Sequence, residues 1–381
     1  VQSEGEKLPM QPELPGAGIP VTLTASENTM PSVNLDSADL VKKLDHSKMA
    51  GHLTGLPETI FRAWQTAEAF PLPAAWQGIK RMMVLGMGGS AIAADLARGL
   101  IDTTKGEVVT VRDYMLPSPL DKETLVVASS YSGETEETLS AFNTALAEPG
   151  PRMAITTGGR LKALAENAHA PVFIIDYKSP PRAALAWGLM PLLSFLHRLE
   201  LAQVSEDKVK ALSVFMRQLN ARYSDFVPEK VNLAKQLARQ MYKQFVVIYG
   251  GGFLGPVAFR WKTQLNENSK NWAFAEVLSE ANHNAVNGYD CPEVIRRHGA
   301  AIILNSPLLH ERVALRNIIT GEILARQHVR HETVTAEGTD ILTQMMSLVL
   351  LGDWASYYLA LLNGVDPTPV DVISYLKKRL G

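Results

Sequence analysis

The stretch Val126-Val-Ala-Ser-Ser-Tyr-Ser-Gly-Glu-Thr-Glu-Glu-Thr138 runs from apolar residues through a hydroxyl cluster and a glycine into a good helix start. That order suits a buried strand, an anion-holding loop and a helix N-terminus. Ser129, Ser130, Ser132, Thr135 and Thr138 supply more hydroxyls than a helix cap needs. Donors gathered where a helix dipole points outward favour a bound phosphate. A plainer reading competes, in which Ser132 is the N-cap and acids fill the first turn. From this loop alone both readings stand.

Outward from it, strands and helices alternate. Upstream, Met82-Met-Val-Leu-Gly86 reads as a strand followed by a helix over 91–100, and 108–111 as a short strand. Downstream, a helix over 135–147, a strand at 153–156, a helix at 161–167 and a strand at 172–175 follow. Short apolar strands alternating with helices imply a parallel sheet covered on both faces. A helical region from 183 to about 242 breaks near Ser205 and Pro228. The pattern then restarts with Phe245-Val-Val-Ile-Tyr249, a turn at Gly250-Gly-Gly252 and a helix over 256–265. Strands at 300–304 and 332–335 and helices at 309–326, 341–362 and 370–380 complete it. Val84-Leu-Gly-Met-Gly-Gly-Ser90 and Val247-Ile-Tyr-Gly-Gly-Gly-Phe253 play the same role in the two halves. The expected fold is α/β, with two similar doubly wound parallel-sheet domains and extra helices at the N- and C-termini. The expected divisions are an arm at 1–35, a first domain at 36–225 and a second at 226–381.

Bulk properties set limits. At 381 residues, two domains are the natural prior, and 46% hydrophobic residues suffice for sizeable cores. A net charge of −2 gives no electrostatic footprint for nucleic acid. No apolar run reads as long enough to span a membrane. Cys291 is the single cysteine, which excludes an internal disulfide framework and a Cys-rich zinc site. A reducing, cytoplasmic setting is expected. Residues 1–35 carry prolines, glycines and small polar residues, lack the regions of a secretory signal, and read as a flexible or surface-wrapped arm. Two pieces of amphipathic helix, broken near 51–57, are expected between 40 and 70.

Gly86-Met-Gly88-Gly89-Ser90-Ala91 fits the G-x-G-x-x-A dinucleotide pattern. Its expected acidic partner is best offered by Asp113, which lies somewhat late. A tight turn with glycines for close packing explains the same residues. The loops at 86–90 and 129–135 both follow strands and can line one crevice at a topological switch point. Backbone N–H groups from one and hydroxyls from the other describe a small phosphoester site better than a pyrophosphate site. No G-x-x-x-x-G-K-[ST] occurs in either.

In the second half, Gln264-Leu-Asn-Glu267-Asn-Ser-Lys270 and Ser279-Glu-Ala-Asn-His283-Asn284 bring an acid and an imidazole among amides, with Trp272 and Phe274 between them. Alone, Glu267 is a polar helix end and His283 a loop histidine. Together they suit a semi-buried site in which a carboxylate acts as base and a histidine moves a second proton. Metal binding at His283 lacks H-E-x-x-H or a nearby second histidine. His298, His310, His328 and His331 are scattered. Arg182 follows Tyr177-Lys-Ser-Pro-Pro181 and opens a helix, where the dipole gives a cation nothing. It either faces an anion or a reacting oxygen, or is simply solvated.

As a set, Gly86-Met-Gly-Gly-Ser90, Ser130-Tyr-Ser-Gly-Glu-Thr135, Ser179-Pro-Pro-Arg182, Leu265-Asn-Glu-Asn-Ser-Lys270, Glu280-Ala-Asn-His-Asn284, Asp366-Pro-Thr-Pro369 and Leu376-Lys377 resemble the sugar isomerase (SIS) domain proteins. More narrowly, they resemble the bifunctional phosphoglucose/phosphomannose isomerase family, over roughly residues 40–381. The resemblance implies that Gly88, Gly89, Ser90, Ser130, Ser132 and Thr135 bind a sugar phosphate. It implies Glu267 as enediol base, Arg182 as oxyanion stabiliser, and His283, donated by the partner of a homodimer, as the ring-opening group. Lys377 matches the family's C-terminal lysine, with Lys378 adjacent, and Thr368 is the nearest match to a threonine linked to accepting the C2 epimer. The implied reaction is metal- and cofactor-free aldose–ketose isomerisation of hexose 6-phosphates. The alternatives are a non-catalytic sugar-phosphate sensor and a dinucleotide-dependent oxidoreductase.

Overall fold

The computed structural model describes residues 33–380. The arm expected at 1–35 lies outside them except for its last residues, of which Leu35 is buried. The described residues open with helices α1 (Ala38–Leu44), α2 (Met49–Thr54) and α3 (Leu56–Glu68). The helical stretch read as two pieces is therefore three. The extra break falls at Asp45, whose carboxylate takes the Met49 and Ala50 N–H groups at 2.6 and 2.9 Å and so starts α2 afresh.

The first sheet is built from β1 (Arg81–Leu85), α4 (Gly88–Arg98), β2 (Glu107–Val111), β3 (Thr124–Ser129), α5 (Glu136–Leu146), β4 (Arg152–Thr156), α6 (Gly159–Asn167) and β5 (Val172–Ile174). Its strands are parallel, in the order β2-β1-β3-β4-β5. β3 is buried along its whole length, as an apolar run covered on both faces must be. Then come α7 (Leu185–Arg198), α8 (Glu206–Tyr223) and α9 (Leu233–Met241).

The second sheet comprises β6 (Phe245–Gly250), α10 (Gly255–Glu267), β7 (Ala273–Val277), α11 (Leu278–Ala281), α12 (Val294–His298), β8 (Gly299–Asn305), α13 (Glu311–Arg326) and β9 (Arg330–Thr335). It too is parallel, ordered β7-β6-β8-β9. Two doubly wound sheets therefore stand as expected. Helices α14 (Ile341–Leu362) and α15 (Asp371–Leu380) end the chain.

One strand was missed and one expectation needs correction. β7 was not legible, because it is an edge strand whose residues are mostly part-exposed, with Trp272 before it 71% and Phe274 within it 42% exposed. And one apolar run does have the length and composition to cross a membrane, since α14 has a mean hydropathy of 1.4 over its best window. That window is wholly buried inside the protein, where α14 packs against α8, α9 and α10. The helix is apolar all round because it is surrounded on every side.

In each sheet the strand order reverses beside the first strand, between β1 and β3 and between β6 and β8. The helices after the two Gly-rich turns, α4 and α10, pack on each other. That contact brings the first crevice towards the end of α10.

Candidate active site

The loops after β1 and β3 flank the switch point of the first sheet. α4 begins at Gly88 with Met87 at its cap position, and no side chain caps it. α5 begins at Glu136, so its N-cap is Thr135 rather than Ser132. Thr135 does not cap the helix with its side chain either. Its hydroxyl pairs with that of Ser130 at 2.8 Å, and the Ser130 hydroxyl accepts the Gly133 N–H at 3.1 Å. Ser132 accepts the Glu134 N–H at 3.2 Å. Two uncapped helix N-termini thus meet in one crevice, each with N–H donors and the positive end of its dipole. Such a pair is a ready cradle for an oxyanion. Gly133 has φ +71°, and a Cβ there would run into the Gly158 carbonyl, so only glycine permits this loop.

Arg182 lies directly beside the cradle. A Cβ on Gly89 would stand 3.2 Å from the Pro181 carbonyl and 3.4 Å from Arg182 Cα. The solvated alternative for Arg182 is overturned, since its side chain is 4% exposed. Nε donates to Asn268 Oδ1 at 2.5 Å, and Nη2 donates to the carbonyls of Pro367 and Thr368 at 2.6 and 2.8 Å. Nη1 faces Glu267 Oε2 at 3.4 Å. Burial pulls the guanidinium below its usual range, and the Glu267 charge opposes that shift. The Glu267 carboxylate keeps 26% of its surface exposed and so remains reachable from the crevice.

A deeper layer holds this pair. Arg260, Gln264 and Glu267 share one face of α10 at helical spacing, and the first two are buried. Arg260 donates to both carboxylate oxygens of Asp353 on α14, at 3.1 and 2.6 Å, and to the Arg182 carbonyl at 3.2 Å. Burial pushes the Asp353 carboxyl up and the Arg260 charge pulls it back. Asn268 donates to Ser356 at 2.9 Å. Neither Arg260 nor Asp353 was picked out from the sequence, and Asn268 figured only as one of the amides beside Glu267. Asp353 could have been, as the only charged residue in a 22-residue apolar helix.

Lys270 ties the end of α10 to the C-terminal segment. Its stem stands in solvent while Nζ turns in to the carbonyls of Glu267, Asn268 and Asp366, at 2.7, 3.2 and 3.0 Å. Burial and the Arg182 charge bring its ammonium down to about 8, against Asp366, Glu267 and Asp371. Between about 8 and the ordinary 10.5 the unfolded chain holds a proton that the folded chain has released. This group's contribution to stability therefore rises with pH across that window. Lys270→Arg stays charged throughout and should lose that alkaline gain. Thermal unfolding of both proteins from about pH 8 to about pH 10 checks it, and parallel curves would refute it.

The other expected site residues are placed differently. His283 is exposed in the turn after α11, and Lys377 is exposed on α15, which has no buried residue. Neither side chain forms a hydrogen bond or ion pair among the described residues. Lys378 lies on the same exposed helix. The Thr368 hydroxyl is buried and has no hydrogen-bond partner among the described residues. At the switch point of the second sheet the neighbours of the glycines are apolar side chains: a Cβ on Gly251 would strike Val313, and one on Gly252 would lie 3.3 Å from Leu309. The two Gly-rich turns match in sequence, but only the first opens onto a hydroxyl loop.

Two doubly wound parallel sheets, with a hydroxyl loop and two uncapped helix N-termini at the switch point of the first, define a protein of the SIS-domain class. Residues 230–380 match the model of the bacterial phospho-glucose isomerase C-terminal SIS domain. The chain is 39% identical to the bifunctional phosphoglucose/phosphomannose isomerase of Caldicellulosiruptor bescii, over 85% of this chain and 96% of that protein. It is 31% identical to the enzyme of the same name from Aquifex aeolicus, over 83% of this chain and 98% of that one. It therefore belongs to the bifunctional phosphoglucose/phosphomannose isomerase family. Among solved structures, the C-terminal domain of glucosamine-fructose-6-phosphate aminotransferase from Francisella tularensis shares the fold. That match has a TM-score of 0.63 and 12% identity, covering 84% of this chain and 97% of that one.

Proposed function

We propose that this protein interconverts the aldose phosphates glucose 6-phosphate and mannose 6-phosphate with fructose 6-phosphate, through a cis-enediol and without a metal. The observation that carries this is the contact of buried Arg182 with Glu267 at 3.4 Å, beside the uncapped N-terminus of α4. Gly88, Gly89, Ser90, Ser130, Ser132 and Thr135 hold the substrate phosphate. Glu267 takes the proton from C2 of the open-chain aldose and returns it to C1, and a second proton passes from O2 to O1. Arg182 stabilises the oxyanion that develops between these steps, as fixed positive charge does in a water-poor site. Protonation of the enediol on either face at C2 gives the glucose or the mannose isomer. Thr368, the nearest match to the family's threonine linked to accepting the C2 epimer, has a buried hydroxyl without a hydrogen-bond partner among the described residues.

His283 opens the sugar ring and comes from the partner of a homodimer, with Lys377 assisting. Its exposure in the single chain supports this, as do exposed apolar residues Trp272, just before edge strand β7, and Phe274 and Val277 on it. The domain division at 225/226 and a cytoplasmic setting belong to the same reading. The test is an assay of EDTA-treated protein with each aldose phosphate and no nucleotide. Fructose 6-phosphate should form from both. Binding without turnover would make the protein a sensor, and turnover only with NAD(P) an oxidoreductase.

A further inference from the structure

Tyr131 lies inside the hydroxyl loop, between Ser130 and Ser132, yet its phenol reaches the segment that delivers Arg182. The hydroxyl donates to the Tyr177 carbonyl at 2.7 Å and accepts the Ser179 N–H at 2.9 Å. One oxygen thus satisfies a donor and an acceptor of a segment that has no ladder of its own. The backbone of Tyr131 is fixed as well. Its carbonyl accepts the Thr157 N–H at 3.0 Å and the Thr157 hydroxyl at 2.7 Å.

From Ser179 the chain passes through Pro180 and Pro181 straight to Arg182. Two pyrrolidine rings remove the φ freedom that would absorb a displacement. On its other sides the segment is also held. His52 Nδ1 and the Tyr177 hydroxyl are 2.8 Å apart, and the Arg62 guanidinium stands 5.7 Å from the Tyr177 ring centre. Gly89 abuts Pro181 and Arg182. The phenol is therefore the hydrogen-bonded link between the hydroxyl loop and the start of the arginine segment.

We propose that Tyr131 is a positioning residue that makes the seating of a phosphate in the loop at 130–135 and the aiming of Arg182 a single event. A phosphate on the hydroxyls and N–H groups immobilises the loop. Tyr131 then immobilises Tyr177 and Ser179, and the prolines carry that order to the guanidinium. Binding energy from the unreactive end of the substrate is thereby used at the reacting end. The kinetic part of this inference rests on the proposed hexose-phosphate reaction, and the structural part does not.

The experiment uses Tyr131→Phe in the full chain, which removes one half-buried hydroxyl and leaves the ring. Hydrogen–deuterium exchange is followed over 129–135 and 177–184, with and without inorganic phosphate. In the wild type, phosphate should slow exchange in both segments. In Tyr131→Phe it should still protect 129–135 but no longer 177–184. In steady-state assays kcat should fall roughly 10- to 100-fold, the range for a misplaced catalytic group. Competitive inhibition by inorganic phosphate should stay within about twofold, which separates aiming from binding.

Equal protection of 177–184 in both proteins would overturn the proposal, as would its absence in the wild type. So would loss of protection at 129–135 in the variant, because Tyr131 would then be building the phosphate loop itself. An unchanged kcat beside an active wild type has the same force. A wild type that forms no fructose 6-phosphate would remove the hexose-phosphate reading, while the exchange measurements still decide the link.

Discussion

Glu267→Gln should lower kcat by roughly a thousandfold, within the 10²–10⁴ range for losing a positioned general base, and leave sugar-phosphate binding nearly unchanged. The amide keeps the shape of the carboxylate, and its oxygen can still accept from Arg182 Nη1. The phosphate cradle, built from other elements, is untouched. What disappears is the ability to take and return a proton, so the loss belongs to kcat rather than KM. Turnover within about tenfold of wild type would remove Glu267 from the role of base.

The same variant tests the shared site. His283→Ala should also be inactive, because ring opening precedes enolisation. In a dimer that pairs Glu267 of one subunit with His283 of the other, a mixed dimer of the two variants contains one intact site and one doubly defective site. After random subunit exchange about a quarter of wild-type activity should return, since half the dimers are mixed and half their sites are intact. Verified mixed dimers without activity would show that the two residues do not cooperate across an interface.

Arg182→Met should cost about 3–5 kcal/mol of stability, the range for breaking a buried charged network from one side. The guanidinium bonds Asn268 Oδ1 and the carbonyls of Pro367 and Thr368, and it pairs with Glu267. Methionine fills similar space and satisfies none of them. Each stranded buried acceptor costs about 1–3 kcal/mol. Glu267 adds less, since part of its carboxylate reaches water. Activity should fall by about 10²–10³-fold through loss of oxyanion stabilisation. Arg182→Lys restores a charge but not the planar fork, so it should regain the pairing with Glu267 without both carbonyl bonds. Urea unfolding and steady-state assays on the two variants measure both effects. A stable Met variant would show that Asn268 and the segment at 366–369 hold themselves in place.

The strand, hydroxyl loop and helix over 124–146 were legible because they are local. Strand, loop and helix follow one another in sequence, and hydroxyls beside a glycine report on the loop they form. Even there one detail escaped. Ser132 looked like the cap, but Thr135 occupies that position and spends its hydroxyl on Ser130. β7 escaped because an edge strand paired on one side carries only a weak burial pattern. The second Gly-rich turn misled differently. Its sequence matches the first in role, but its neighbours are the apolar side chains of Val313 and Leu309, supplied from beyond β8, rather than a hydroxyl loop.

The sequence alone determined two doubly wound sheets, the hydroxyl loop at the switch point and the family to which the chain belongs. All of these are carried by contiguous segments whose spacing mirrors their local geometry. The tertiary structure alone decided that Arg182 is buried and that it meets Glu267, 85 positions away, above an Arg260–Asp353 pair separated by 93. No local period encodes such a contact. A solvated arginine and a buried one have the same neighbours in sequence, and they differ only once Asn268, Glu267 and the segment at 367–368 close around the guanidinium.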